Sequence, residues 1–347
     1  MRKILIVGYF GFKNFGDEWL LQVLIKKIKE TESYLRQVFV LYNTDKICKV
    51  NNYLTYFPRW HLYYIFYSVT LSDTIIFCGG LFQDQTSKLS LLYYLFIFLL
   101  AKILKKKVVL LSAEFVITKI PKFVQQIILS LADQIFIRNT IDVGKLKVTV
   151  SKSKTDMIKF CPDICLSDFT QAKNYTRTKI DTVGLILKFN MDKNLVEQMC
   201  LNLSKFYNLV FIPFHLGQDY RFYLDIINGI SHCELRVWDR VENYRNIFSD
   251  IDLLIVSRLH GVIISLVLQI PFICISEEEK LIRVVRSYFL RDCVTLEELS
   301  KKSFELKDFI INPDFNETVK CKRLVEENLK FLITKNFYNT KFNGVII

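Results

Sequence analysis

Residues 3–21 read KILIVGYFGFKNFGDEWLL, and this stretch decides the fold. Lys3 to Val7 is a short, continuous apolar run of the kind that forms a strand buried on both faces, and Glu18 to Lys29 carries the apolar spacing of a helix. A strand that runs through a glycine loop into a helix is the opening unit of a parallel α/β sheet. The loop holds Gly8, Gly11 and Gly16, at intervals of three and five, with Asn14 between them. The dinucleotide-binding fingerprint has its glycines two and three apart, so this is a different loop. Its glycines permit close backbone approach, Asp17 is placed to cap the helix, and the helix N-terminus offers N–H groups to an anion; a plain tight turn fits the same residues.

Outward from this unit the alternation continues. Strands are expected at Val38 to Tyr42, Thr74 to Cys78 and Val108 to Ser112, with a helix at Lys88 to Leu104. The stretch Lys145 to Lys159 is basic and serine-rich, and Gln171 to Lys179 is polar without apolar period, which puts a domain boundary at Thr178. Beyond it, strands are expected at Thr182 to Leu187, Leu209 to Phe214, Leu235 to Trp238, Leu253 to Val256 and Phe272 to Ile275. Helices are expected near Leu195 to Phe206, Tyr220 to Ile230 and Glu242 to Phe248, and after Gly261. The reading is α/β: two doubly wound, Rossmann-like domains, 1–177 and 178–335, facing one another across a cleft. A last amphipathic helix, Thr318 to Thr334, is expected to pack back on the first domain, ahead of a tail at 336–347.

The 347 residues suit roughly two domains. With 51% hydrophobic and 24% charged residues the chain is neither disordered nor of low complexity. A net charge of +12 attracts anions: phosphates, acidic sugars or an anionic membrane face. Nucleic acid is not expected as a partner, because the lysine runs are short and separated and no zinc-finger or RNA-recognition pattern occurs. The nine cysteines are odd in number and scattered, several of them in apolar runs, as small buried hydrophobes are, so neither disulfides nor a metal site are expected. The N-terminus lacks the long apolar stretch of a secretory signal, and the expected location is cytoplasmic. Leu89 to Ala101 is almost uncharged, but thirteen helical residues reach only about 20 Å against the ~30 Å of a bilayer core. A buried helix fits it; so does a surface that, with the aromatic stretch Trp60 to Val69, touches an anionic membrane without crossing it.

In open parallel sheets ligands sit beyond the carboxyl ends of the strands. A second strand-to-glycine loop is CGGLFQDQTS, residues 78–87, where Gly79 and Gly80 free the backbone and Asp84 either holds a sugar hydroxyl or caps the next helix. The most informative loop is DLLIVSRLHGVIISLV, residues 252–267, which delivers Arg258 and His260 at the threshold of a helix. An arginine fork binds carboxylate or phosphate, and a neighbouring histidine exchanges protons near neutrality. His215 and Asp219 follow another strand, either lining the same cleft or as ordinary loop polarity. His61 and His232 have no such company and are read as structural.

Taken together, these stretches resemble the polysaccharide pyruvyl transferases of the CsaB type. The resemblance runs from Lys3 to about Leu290, on GYFGFKNFGDEWLL, GGLFQDQTSKLSLLYY, IPFHLGQD and SRLHGVIISLVLQIPFICIS, in the family's order. It implies a two-domain fold like that of GT-B glycosyltransferases, and transfer of a pyruvyl unit from phosphoenolpyruvate, as co-substrate without a cofactor, to a sugar of a surface polysaccharide or its lipid-linked precursor. The product is a pyruvate ketal. On this reading Arg258 clamps the donor, His260 is the proton donor or the leaving-group acid, and the glycine loops face the acceptor, with Asp17 and Asp84 available to its hydroxyls. Arg138, Lys188 and Lys280 stand at or near positions where the family carries functional basic residues. The chain departs from the family in having Cys78 before Gly79 and Gly80, Ser112-Ala113-Glu114-Phe115 in place of a Gly-Gln-Gly stretch, Asn139 after Arg138, and Lys188 in place of an arginine. A nucleotide-sugar glycosyltransferase and a silent glycan-binding homologue are the other readings of the same architecture.

Overall fold

The structure, a computed structural model, describes residues 2–31, 35–83, 87–116, 123–150, 152–170, 179–289, 293–301 and 306–338. The chain divides into two compact units, Met1–Phe12 with Leu20–Ser167 and Arg323–Ile347, and Lys13–Trp19 with Asp168–Lys322. The boundary expected at Thr178 and Asp84 both lie outside the described residues, as does the end of the tail from 339 onward.

The strands of the first unit are β1 (Arg2–Val7), β2 (Leu35–Tyr42), β3 (Cys48–Lys49), β4 (Leu54–Pro58), β5 (Thr74–Cys78), β6 (Phe82–Gln83), β7 (Lys107–Ala113), β8 (Phe115–Val116), β9 (Gln134–Ile137) and β10 (Ile158–Phe160). Eight of them form one sheet in the order β10-β9-β7-β5-β1-β2-β4-β3, parallel throughout except where β3 meets β4; β6 and β8 pair separately. From β1 the chain builds outward through β2 and β4, then returns to the other side of β1 with β5. The topological switch point is therefore between β1 and β5, at whose carboxyl ends stand Gly8 and Gly79. Among the helices, α1 (Phe15–Thr31) spans the division between units, while α2 (Leu62–Leu71), α3 (Lys88–Ile103), α4 (Phe123–Leu131), α5 (Thr140–Thr149) and α6 (Lys152–Thr155) belong to this unit. Strand β5, TIIFC, is buried at every position, because helices cover both faces of a parallel sheet.

The second unit holds β11 (Thr182–Ile186), β12 (Asn208–Phe211), β13 (Cys233–Leu235), β14 (Leu253–Val256) and β15 (Phe272–Cys274), all parallel in the order β13-β12-β11-β14-β15. Its switch point is between β11 and β14, the strands that end just before Lys188 and Arg258. The helices are α7 (Lys193–Leu203), α8 (Gln218–Ile227), α9 (Tyr244–Ile247), α10 (Leu259–Leu268), α11 (Glu279–Phe289) and α12 (Leu296–Ser300); α13 (Phe315–Tyr338) begins here and from Arg323 belongs to the first unit, where Asn328 donates to Phe160 O (3.1 Å).

The fold class is thus the expected α/β with two parallel sheets, and several local expectations need correction. The strand expected at Leu235 to Trp238 ends at Leu235; Trp238 is buried off the strand, its indole N–H donating to Pro213 O (2.8 Å). Helix α10 starts at Leu259 and not after Gly261, since Arg258 is its N-cap and Gly261 lies against Val256, where a Cβ would fall 3.0 Å from that side chain. Strand β4 and helix α2 were not foreseen at all. The nine cysteines are free, with only Cys48 exposed.

Candidate active site

At the switch point of the second unit, three strand ends deliver their polar residues to one carboxylate. Asp219, in the first turn of α8, is fully buried, and its oxygens accept from the backbone N–H of His215 (2.9 Å), the N–H of Phe189 (3.2 Å) and Arg258 Nη2 (2.5 Å). The loop after β12, the loop after β11 and the residue after Ser257 are thereby joined through a single side chain. Tyr223, one turn further along α8, reinforces the same loop: its hydroxyl accepts from Leu187 N (2.5 Å) and lies 3.1 Å from Leu187 O. Ser257 Oγ accepts from Lys188 N (2.8 Å), closing the switch point from the β14 side.

Arg258 is the N-cap of α10 with no capping hydrogen bond of its own, so its guanidinium stands at the positive end of an apolar ten-residue helix. Its side chain is 16% exposed. Its one hydrogen bond among the described residues goes to Asp219, and Nε is buried without a partner. A guanidinium carries five N–H donors, so with Nη2 on Asp219 the other arm of this half-buried fork is free for a carboxylate or phosphate. Lys188 is less available, because its ammonium pairs with Glu278.

His215 Nδ1 accepts from the N–H groups of Gly217 and Gln218 (both 3.2 Å), capping α8 and fixing the neutral ring with its proton on Nε2. Burial pushes its pKa below the ordinary value and the Arg258 cation adds to this, against the opposing pull of Asp219. His260 lies in the first turn of α10, and Gly16 makes room for it: a Cβ at position 16 would fall 2.1 Å from His260 Nδ1. Gly16 belongs to this unit because Lys13–Trp19 is bound into it. Asn14 bridges His215, Phe15 N donates to Phe214 O (2.7 Å), and the Phe15 ring packs on Phe214 and Trp238. Asn14 also accepts from Gly16 N (3.2 Å). Asp17 is half-buried in the first turn of α1. Lys280 is in the first turn of α11, and its side chain lies outside the described residues.

The structure therefore gathers Asn14, Gly16, His215, Asp219, Arg258 and His260 in one unit, with Lys188 beside them. Asp17 and Lys280 belong to the same unit, and Gly8, Gly11, Gly79, Gly80 and Arg138 lie in the first. Gly11 and Gly79 have φ of 85° and 98°, conformations that glycine adopts without strain. Gly8 offers its carbonyl to Arg59 Nη1 (2.8 Å). Arg59 is 2% exposed, bonds Tyr94 OH through Nη2 (3.0 Å), and lies 4.9–5.7 Å from the ring centroids of Phe12, Trp60, Tyr93 and Tyr94. Nothing in the sequence marked it. Arg138 is enclosed between Glu114 (2.5 Å) and Asp163 (3.6 Å), and Asn139 caps α5 by accepting from Asp142 N (2.7 Å). Ser112, at the head of the stretch that replaces the family's glycines, keeps a φ of 50°.

A family model described as Polysaccharide pyruvyl transferase matches residues 14–279. No curated protein sequence matches the chain. Solved structures match over nearly its whole length. A UDP-GlcNAc 2-epimerase from Neisseria meningitidis bound to UDP-GlcNAc has TM-score 0.58 at 10% identity, covering 96% of this chain and 99% of that one. The Methanocaldococcus jannaschii UDP-GlcNAc 2-epimerase, in complex with UDP-GlcNAc and UDP, has TM-score 0.59 at 11% identity, covering 94% and 99%. An α,α-trehalose-phosphate synthase (UDP-forming) from Burkholderia xenovorans has TM-score 0.53 at 10% identity, covering 97% and 99%. At such identities the likeness is one of fold, that of the GT-B class.

Proposed function

The chain belongs to the polysaccharide pyruvyl transferase family, and from that premise we propose that it transfers a pyruvyl group from phosphoenolpyruvate to a sugar of a surface polysaccharide or its lipid-linked precursor. The observation that carries this reading is Arg258: a cationic fork at a sheet's switch point and a helix N-terminus, held by Asp219 on one arm and open on another. A donor with both a carboxylate and a phosphate calls for such a group.

The chemistry needs a proton delivered to the methylene carbon of phosphoenolpyruvate, which leaves C2 electrophilic. One sugar hydroxyl attacks C2, phosphate departs, and a second hydroxyl closes the ketal. Of the two hydroxyl protons, one restores the acid and the other leaves with phosphate. In this scheme His260 is the acid, seated by Gly16, and Arg258 holds the donor anion and the departing phosphate. His215 and Asp219 are positioning residues: Asp219 aims Arg258, and the neutral His215 ring caps α8. The loops with Gly8, Gly11, Gly79 and Gly80 serve the acceptor. Arg138, spent on two carboxylates, fixes strand ends in our reading and leaves the donor to Arg258.

The test is release of inorganic phosphate from phosphoenolpyruvate with a panel of hexose and N-acetylhexosamine acceptors, free and lipid-linked. Release that requires an acceptor and fails in Arg258→Ala supports the reading. Transfer of a glycosyl group from a UDP-sugar with phosphoenolpyruvate untouched contradicts it. Full activity in His260→Ala beside its loss in Arg258→Lys removes the acid assignment alone.

A further inference from the structure

Helices α2, α3 and α4 together contain charged residues only at the ends of α3, Lys88 and Lys102. Helix α3 turns Leu91, Tyr94, Ile97, Phe98 and Ala101 into the core, as expected for a covering helix. Its opposite side is not polar. Leu89, Leu92, Phe96, Leu99 and Ile103 are all exposed, Leu89 at 78% and Ile103 at 75%, and their spacing of three, four, three and four puts them on one stripe along about 21 Å of helix. The neighbouring α2 exposes Leu62, Tyr63, Phe66 and Tyr67, and the rings of Phe66 and Phe96 meet at 6.1 Å, so the two faces are continuous. An exposed apolar surface two helices wide is larger than a soluble monomer ordinarily leaves open.

The border of this surface is basic. Lys88 and Lys105 are exposed at the two ends of α3, while the nearby carboxylates are engaged: Asp133 pairs with Lys102 (2.8 Å), and Asp73 accepts from Lys3 N (2.9 Å). Trp60, 63% exposed, and the tyrosines of α2 add rings with one apolar and one polar end, the kind that collects at the boundary between hydrocarbon and headgroups. A second copy meeting this face with α3 antiparallel would set Lys88 against Lys105 twice over, between bodies that each carry +12. An anionic surface meets the same lysines with opposite charge. No helix among the described residues is long and apolar enough to cross a membrane.

We propose that the outward faces of α2 and α3 seat on an anionic lipid surface, the stripe from Leu89 to Ile103 entering the acyl boundary and Lys88 and Lys105 lying among the headgroups. The seat is wired to the glycine loop that serves the acceptor. Tyr93 OH donates to Arg59 O (2.8 Å), and Arg59 Nη1 holds Gly8 O. Docking would bring that loop to the border of the lipid, where the sugar of a lipid-linked acceptor lies. This consequence rests on the pyruvyl-transfer reading; the docking does not.

The experiment is co-sedimentation of the full chain with phosphatidylcholine vesicles, with and without 30% phosphatidylglycerol, at low and high salt, read alongside tryptophan emission. Trp19 and Trp238 are buried, so a blue shift reports Trp60. We expect binding about thirtyfold tighter to the anionic vesicles, as two lysines near the surface give, with a blue shift. The double variant Leu92→Glu with Phe96→Glu abolishes it at unchanged melting temperature. Lys88→Glu with Lys105→Glu, which leaves the apolar stripe whole, removes only the preference for anionic lipid. Absence of binding to anionic vesicles at low salt overturns the proposal, as does binding indifferent to the Leu92 and Phe96 changes. A dimer in solution that Phe96→Glu disperses, with no vesicle bound, assigns the face to a second copy instead. The vesicles contain neither donor nor sugar, so failure here leaves the pyruvyl-transfer reading to its own assay.

Discussion

Arg258 and Arg138 both stand beside carboxylates at the carboxyl edge of a parallel sheet, yet the two sheets use them differently. In the first unit Arg138 is 3% exposed and lies between two carboxylates, Glu114 and Asp163. In the second, Arg258 has one carboxylate, Asp219, which shares itself with two backbone N–H groups, and the guanidinium stands at a helix N-terminus. Residue type is alike; what differs is that Arg138 is buried between two carboxylates and Arg258 is half-buried against one. An arginine set between two carboxylates stabilises the fold, whereas one held by a single carboxylate at a helix N-terminus is equipped for a ligand.

The sharpest way to break this comparison is to delete each arginine in turn. Arg138→Ala leaves Glu114 and Asp163 buried without their cation and is expected to cost about 3–5 kcal/mol, seen as a lowered melting temperature or loss of folded protein. An Arg138→Ala protein with unchanged stability and lost donor binding would reverse the two roles. Next, Arg258→Lys keeps a charge against Asp219 but gives up the fork. We expect donor affinity to fall about 10- to 100-fold by calorimetry, which is about 1.4–2.7 kcal/mol, with a melting temperature close to the parent's. Gly16→Ala sharpens the account within the second unit: the new methyl meets the His260 ring, and turnover is expected to drop about tenfold while donor affinity holds. Equal turnover in Gly16→Ala and the parent would detach His260 from the chemistry.

The smallest effect is one of pH. His215 has a lowered pKa in the folded chain, so the unfolded chain takes up its proton first as pH falls. The stability this group contributes is present above about pH 6.5 and is lost as pH falls through the lower folded value, where protonation also removes the acceptor on Nδ1 that caps α8. Melting temperatures of the parent and His215→Gln between pH 5 and 8 should therefore converge on the acid side. Parallel curves would mean that the ring is not held neutral.

Much of the fold was legible because buried parallel strands announce themselves. The apolar runs of β5 and β14 end where the expected strands end, each followed by a loop of small or charged residues. Strand β4, LTYFP, ends in proline and pairs at the sheet's margin, and its sequence reads as one more aromatic stretch. The site was half legible. Arg258 and His260 stand out at a strand-to-helix junction, but nothing local distinguishes Asp219 facing a ligand from Asp219 fully buried behind Arg258. Tyr223 and Arg59 act through backbone atoms 36 and 51 residues away in sequence, a relation that only packing reveals. Glu114 and Asn139 read from the sequence as separate departures from the family. Folded, Glu114 answers Arg138 while Asn139 caps the helix beside it, so the changes fall on one cluster.

The central claim is that the open arm of Arg258 receives the anionic donor. Its most direct test is thermal protection of the purified chain by phosphoenolpyruvate beside UDP- and GDP-sugars, with Arg258→Ala as the control. A ligand at 100 times its dissociation constant adds about 2.7 kcal/mol to stability. The account predicts that phosphoenolpyruvate raises the melting temperature accordingly, that the nucleotide sugars do not, and that the shift vanishes in Arg258→Ala. Protection by a nucleotide sugar alone, or protection by phosphoenolpyruvate undiminished in Arg258→Ala, would contradict it.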